Sequence, residues 1–159
     1  MLLSFLLLPW FFLDAGGAPV RQAIPAAPVT ACAAVTRTEV EQALRKVVDG
    51  GTEVTEATES TCEYSGRGGI VTVSIRRLTA KLDWAAEIES LRKAIPEAAV
   101  RAVAGIGTRA IFLDIPGAGT QLHAIQGERA IMISVLGFGE AAQVSAAAEG
   151  MARKALGRL

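Results

Sequence analysis

Two hydrophobic periods alternate along the chain. Val40, Leu44, Val47 and Val48 fall on one helical face. Thr36 and Thr38 precede them, each with a glutamate three residues on (Glu39 and Glu41), as a capping box requires. This predicts a helix over 38–49, stopped by Gly50 and Gly51. Residues 52–59 are rich in Thr and Glu and predict at most an edge strand. Residues 60–75 read with period two: Cys62 and Tyr64 share one face of a strand, and Val71, Val73 and Ile75 share one face of the next. Gly66, Arg67, Gly68 and Gly69 supply the turn between them. Trp84, Ile88, Leu91 and Ile95 return to helical spacing and predict a helix over 82–95 ended by Pro96, with Trp84 read as a core residue. Strands follow over 100–104 and 108–115. A second hairpin, 122–125 with 130–136, turns about residues 127–129. The last helix is predicted over 140–156, with Ala141, Val144, Ala148, Met151 and Ala155 as its inner stripe and Arg153, Lys154 and Arg158 opposing its dipole.

The order of these elements contains an echo. A hairpin beginning at Gly66 leads into a helix, and a hairpin about Gly127 does the same. Strands in hairpins imply antiparallel pairing, and amphipathic helices need a sheet face to cover. The predicted class is therefore α+β: an antiparallel sheet of about five to seven strands with two or three helices packed mainly on one face.

The first residues depart from both periods. Residues 1–13 form one apolar run interrupted by Pro9. It falls short of the roughly 20 apolar residues that span a bilayer. Ala15, Gly16, Gly17 and Ala18 then supply the small residues of a cleavage site, so residues 1–18 are expected to be a signal peptide. No Lys or Arg precedes the run, and Pro19 disfavours a cut after Ala18, which leaves a later cut near Ala27 as the other option. Residues 19–30 are rich in Ala and Pro and read as a linker, and 31–159 as a single domain. The 16 basic and 16 acidic residues cancel and form no block of like charge. The basic stripe of a nucleic-acid binder and the polybasic patch of a membrane-surface protein are both missing.

There are two cysteines, Cys32 and Cys62. In an exported protein an even count suggests a disulfide. Without export, two buried thiols is the better reading. The C-x-x-C spacing of a redox pair is absent. Val29, Thr30 and Ala31 before Cys32 loosely match the small-residue box of a lipidated cysteine, although they lie well beyond the apolar run. Membrane association would then come only through an uncleaved leader or a lipid on Cys32.

Several of these features occur together in a known setting. A cysteine precedes a capped helix carrying Val40 and Leu44. Cys62, Glu63 and Tyr64 open the hairpin, and Val103, Ala104, Gly105, Ile106 and Gly107 step into Ala110. From about residue 30 to 157 the chain resembles the exported domain of unknown function found in small actinobacterial cell-envelope lipoproteins. The resemblance implies a Cys32–Cys62 disulfide and an α+β fold, and brings no established activity or catalytic residue. Members of that family often carry a separate lipidated cysteine near the leader, and this chain has none.

The inventory of reactive groups is short. One histidine and two cysteines are too few for a zinc site, so no metal and no cofactor is expected. Glu53, Glu56 and Glu59 lack the Asp-rich loop of a calcium site and read as a solvated acidic edge. A triad of Ser134 or Ser74 with His123 and Asp114 can be written, but no Gly-x-Ser-x-Gly elbow supports it. The expected function is therefore non-catalytic binding of an envelope partner protein or a small apolar ligand, with no nucleic acid, in a secreted, periplasmic or envelope setting. A small hydrolase using His123 is the alternative. The expected surface for a ligand or partner includes Gly105, Gly107, Arg109 and His123, on the sheet face away from the helices or around residues 105–109.

Overall fold

The computed structural model describes residues 28–159; the expected leader and residues 19–27 of the expected linker lie outside this range. The elements are α1 (Ala31–Ala34), α2 (Arg37–Leu44), β1 (Thr52–Thr55), β2 (Glu59–Gly66), β3 (Gly69–Arg77), α3 (Trp84–Ala94), β4 (Ala99–Val103), β5 (Arg109–Ile115), β6 (Gly119–Gln126), β7 (Arg129–Leu136) and α4 (Ala141–Arg158). All seven strands form one antiparallel sheet in the order β1-β2-β3-β7-β6-β5-β4. The chain meanders from one edge to the middle, crosses to the far edge, and meanders back until β7 pairs with β3.

Register assigns the faces. Cys62 pairs with Val73 and Tyr64 with Val71, while Val73 pairs with Ile133 and Leu122 with Ile133. Together with Phe112 these residues form the front face, the floor of the main core. Helix α4 lies on it through Val144, Ala148, Met151, Ala152 and Ala155, all buried. Four of that stripe's small or unbranched side chains let the helix approach the strands closely. Helices α1 and α2 complete this layer, so three helices share the front face as the α+β reading expects.

The disulfide joins Cys32 of α1 to Cys62 of β2 across 30 residues of sequence. Bonds of this kind persist in oxidising compartments. Gly51 passes directly over it: a Cβ there would stand 2.7 Å from Cys62 Sγ and 2.9 Å from Cys32 Sγ, closer than atoms pack. Tyr64, fully buried beside the bond, donates its hydroxyl hydrogen to the Val35 carbonyl at 2.5 Å. Glu53, read from sequence as part of a solvated edge, instead fastens the same corner. Its Oε1 accepts from the Ser60 hydroxyl at 2.8 Å and the Cys32 N–H at 3.2 Å, and Ser60 Oγ accepts from the Ala31 N–H at 2.8 Å. Burial opposes ionisation of Glu53, but these hydrogen bonds outweigh it and hold its carboxyl below the usual range.

Two expectations need correction. The first helix ends at Arg45, in the left-handed conformation (φ 54°), and does not run on to Gly50. Val48 is the reason: buried, it bridges Gly66, while the Asp49 N–H donates to the Ser65 carbonyl at 2.7 Å. A helix through Val48 would forfeit both. Val47, expected on the inner stripe, is left in solvent. The second correction concerns Trp84, expected in the core: it is only part-buried and outside the core cluster, because it opens α3, the one helix on the reverse face. The connection from β3 to β4 must pass from the middle of the sheet to its far edge, and α3 makes the passage there. Glu87 of α3 pairs with Arg76 of β3, a reverse-face residue, at 3.5 Å. Beneath this layer Ile111 and Leu113 are buried outside the main core cluster.

Candidate functional site

Helix α3 begins with a strong local signal. Asp83 caps it, its Oδ1 accepting from the Ala85 N–H at 3.0 Å and the Ala86 N–H at 3.2 Å. The apolar stripe of Trp84, Ile88, Leu91 and Ile95 points inward, yet no residue of the helix is fully buried. The helix covers the reverse face only in part, and the loop 78–83 leads into it. The space between this loop, the first turn of α3 and the sheet is the candidate site.

It consists of two adjoining hollows. The outer one, about 530 Å³, is walled by Leu78, Ala80, Leu82 and Trp84 and floored by Ile125, with Thr108 and Arg109 along one side. The inner one, about 200 Å³, runs from the same Leu82, Trp84 and Ile125 toward His123, Met132 and Ser74. The outer hollow falls within the usual size range for small-ligand sites, roughly 300–1,000 Å³. Its wall is mainly apolar, and it is open to solvent.

Sheet register explains why these side chains meet. Two adjacent reverse-face rows cross these strands: Arg109, Ile125, Ala130 and Arg76 in one, and Ile111, His123, Met132 and Ser74 in the next. His123 is half-buried in that row. Burial, and behind it the charge of Arg76, push its imidazole down to about 4, so the ring is neutral at physiological pH. Its side-chain partner is Gln121, with Nε2 and Oε1 3.3 Å apart. Nearby, the Ser74 hydroxyl donates to Glu59 at 2.5 Å.

The charged groups around the site divide in two. In the inner hollow each is satisfied locally, Arg76 by Glu87 and Glu59 by Ser74. At the rim of the outer hollow stand Arg109, Lys81 and Glu128, and among the described residues none of the three takes part in an ion pair.

The expected site residues separate accordingly. Arg109 and His123 line the two hollows. Gly105 and Gly107 lie in the β4–β5 connection with φ of 72° and 56° and line neither. The Gly105 carbonyl accepts from Arg153 of α4, and a Cβ on Gly107 would collide with the Ile125 carbonyl. Their geometry is that of a connection which sets the start of β5, and hence the position of Arg109. The written triad is not assembled. Asp114 faces the front side, where Arg101 (2.6 Å) and Thr120 (2.7 Å) hold it, while His123, Ser74 and Ser134 face the reverse side. Among the described residues no cluster of three or more His, Cys, Asp or Glu side chains could hold a metal ion, and no helix is long and apolar enough to cross a membrane.

Leu82, Trp84 and Ile125 were not singled out by sequence as site residues. The available signal was Trp84 itself, the one tryptophan among the described residues, placed at a helix start after a loop and not in its middle. No family model, curated protein or solved structure matches the chain, so the functional reading rests on the chemistry of this groove.

Proposed function

We propose that this is an exported, non-catalytic domain of the cell envelope that binds a small apolar ligand in the groove between loop 78–83, the first turn of α3 and the sheet. One observation carries the reading: the two hollows share an aromatic and aliphatic wall of Leu82, Trp84 and Ile125, on a face where α3 leaves the sheet incompletely covered. Concave, mostly apolar hollows with a few polar groups at one end are the usual form of small-ligand sites. Export is supported by the apolar leader and by the Cys32–Cys62 bond, and is in keeping with the envelope family that the sequence resembles.

A neutral apolar fluorophore tests the binding. 1-N-phenylnaphthylamine should bind saturably and brighten, and Trp84→Phe should lose any accompanying quenching of tryptophan emission. Ile125→Glu, which replaces the apolar floor by a carboxylate beside Arg109, should weaken the neutral probe at least about tenfold, since covering a charged group with an apolar ring costs more than about 1.4 kcal/mol. Equal circular dichroism spectra would show that the variant folds. Saturable binding that Ile125→Glu leaves unchanged would place the ligand elsewhere.

A further inference from the structure

Resting on the groove reading, we infer that the ligand is a single-tailed amphiphile with an anionic head, its tail along Trp84, Leu82 and Ile125 and its head at Arg109 and Lys81.

The charges argue for the head. Arg76, Glu87 and Glu59 in the inner hollow have partners in the protein, so a ligand gains nothing net from them. Arg109 and Lys81 do not, among the described residues. Both stand on the rim of the outer hollow, two cations against the single carboxylate of Glu128. Arg109 projects from β5 beside the floor residue Ile125, its register partner. Its guanidinium is thus available at the edge of an apolar trough, and a planar guanidinium matches a carboxylate or phosphate oxygen pair. Lys81 reaches the same rim from the loop above. Rim cations that remain hydrated cost little in the empty protein, and they favour an anion once an apolar tail has brought it there.

The shape argues for the tail. Leu78, Ala80, Leu82 and Trp84 give the outer hollow a mainly aliphatic and aromatic wall, and Leu82, Trp84 and Ile125 carry it on into the inner hollow. At the far end His123 is neutral and offers no charge for a second head group. The outer rim therefore carries unpaired charge, while the charges deeper in the groove are already paired, which fits a molecule with one anionic head and an uncharged tail. A cationic amphiphile would meet Arg109 and Lys81 with like charge, and a doubly charged one would leave its second charge unpaired.

Displacement of bound 1-N-phenylnaphthylamine from the full chain separates the head from the tail. Decanoate, decan-1-ol and decyltrimethylammonium share one tail and differ in charge. Decan-1-ol is the more hydrophobic of the first two, so a purely apolar groove would prefer it. The expected result is displacement by decanoate at a concentration about tenfold or more below that of decan-1-ol, with decyltrimethylammonium weakest. The double variant Arg109→Gln/Lys81→Gln should erase the decanoate preference and leave decan-1-ol unchanged. Decan-1-ol matching or outcompeting decanoate, or a preference that survives in the double variant, would overturn the anionic head and leave the groove reading intact. Failure of the fluorophore to bind the unaltered chain would overturn the groove reading and this inference together.

Discussion

His123 is the one residue whose protonation reports on the reverse face. In the unfolded chain its imidazole titrates near 6.5; in the fold it is pushed down to about 4. Between those values the unfolded state binds the proton more readily, so stability falls as pH drops. The full contribution is present above about pH 6.5 and is lost by about pH 4, a change of at most about 3 kcal/mol. His123 is the only histidine in the chain, which makes the effect assignable. Urea unfolding between pH 7 and 4.5 should show the decline, and His123→Gln should flatten it. An equal slope in the variant would mean that the ring is solvated and the α3 layer open. The carboxylates act lower. Glu39 accepts two hydrogen bonds from Arg158 at 2.7 and 2.8 Å, with Thr36 and Lys154 adding theirs, and its carboxyl is held far below the usual range. That contribution is present above about pH 4.5 and lost as pH falls further.

Among the elements, the strands were the most legible. Alternation over Cys62, Tyr64, Val71, Val73 and Ile75 predicts their common face, and the register confirms it. Period-two patterns survive because each strand has one buried row, and a slip by one residue would expose it. Helix ends were less legible. The stripe of Val40 and Leu44 extends naturally to Val47 and Val48, and only the pairing of Val48 with Gly66, a partner 18 residues on, shows why the helix stops. Helix α3 was legible as a helix but not in its place: Trp84, Ile88, Leu91 and Ile95 announce an inner face without saying which side of the sheet it covers. The site inherits this limit, since the hollows exist only because α3 and loop 78–83 stand over the reverse face. Helix α1, four residues long, carries no periodicity, and its position depends on the disulfide and on Glu53. A disulfide closing a loop of this size stabilises by about 3–4 kcal/mol in the chain-entropy picture. Cys32→Ala/Cys62→Ala should therefore lower the free energy of urea unfolding by about that amount. A loss below about 1 kcal/mol would mean that Tyr64, Glu53 and Ser60 hold the corner without the bond.

At the scale of the whole molecule, the two faces of the sheet are treated differently. The front is covered by three helices and closed by a buried cluster that runs from Ala31 to Leu156. The reverse carries one helix with no fully buried residue, and the hollows lie between its first turn, the loop before it and the sheet. Antiparallel sheets often leave one face to water; here the reverse face instead carries a part-covered hollow with a mainly apolar wall, which is what makes it a candidate for binding. The β4–β5 connection with Gly105 and Gly107 supports this asymmetry by setting Arg109 at the groove's edge. The most direct test is to map binding residue by residue, by two-dimensional amide NMR of the protein titrated with 1-N-phenylnaphthylamine. The account predicts saturable shifts concentrated at residues 78–84, 108–109 and 123–128, with α2 and α4 unmoved. Shifts centred on α4 or the disulfide corner, or none at saturating probe, would contradict it.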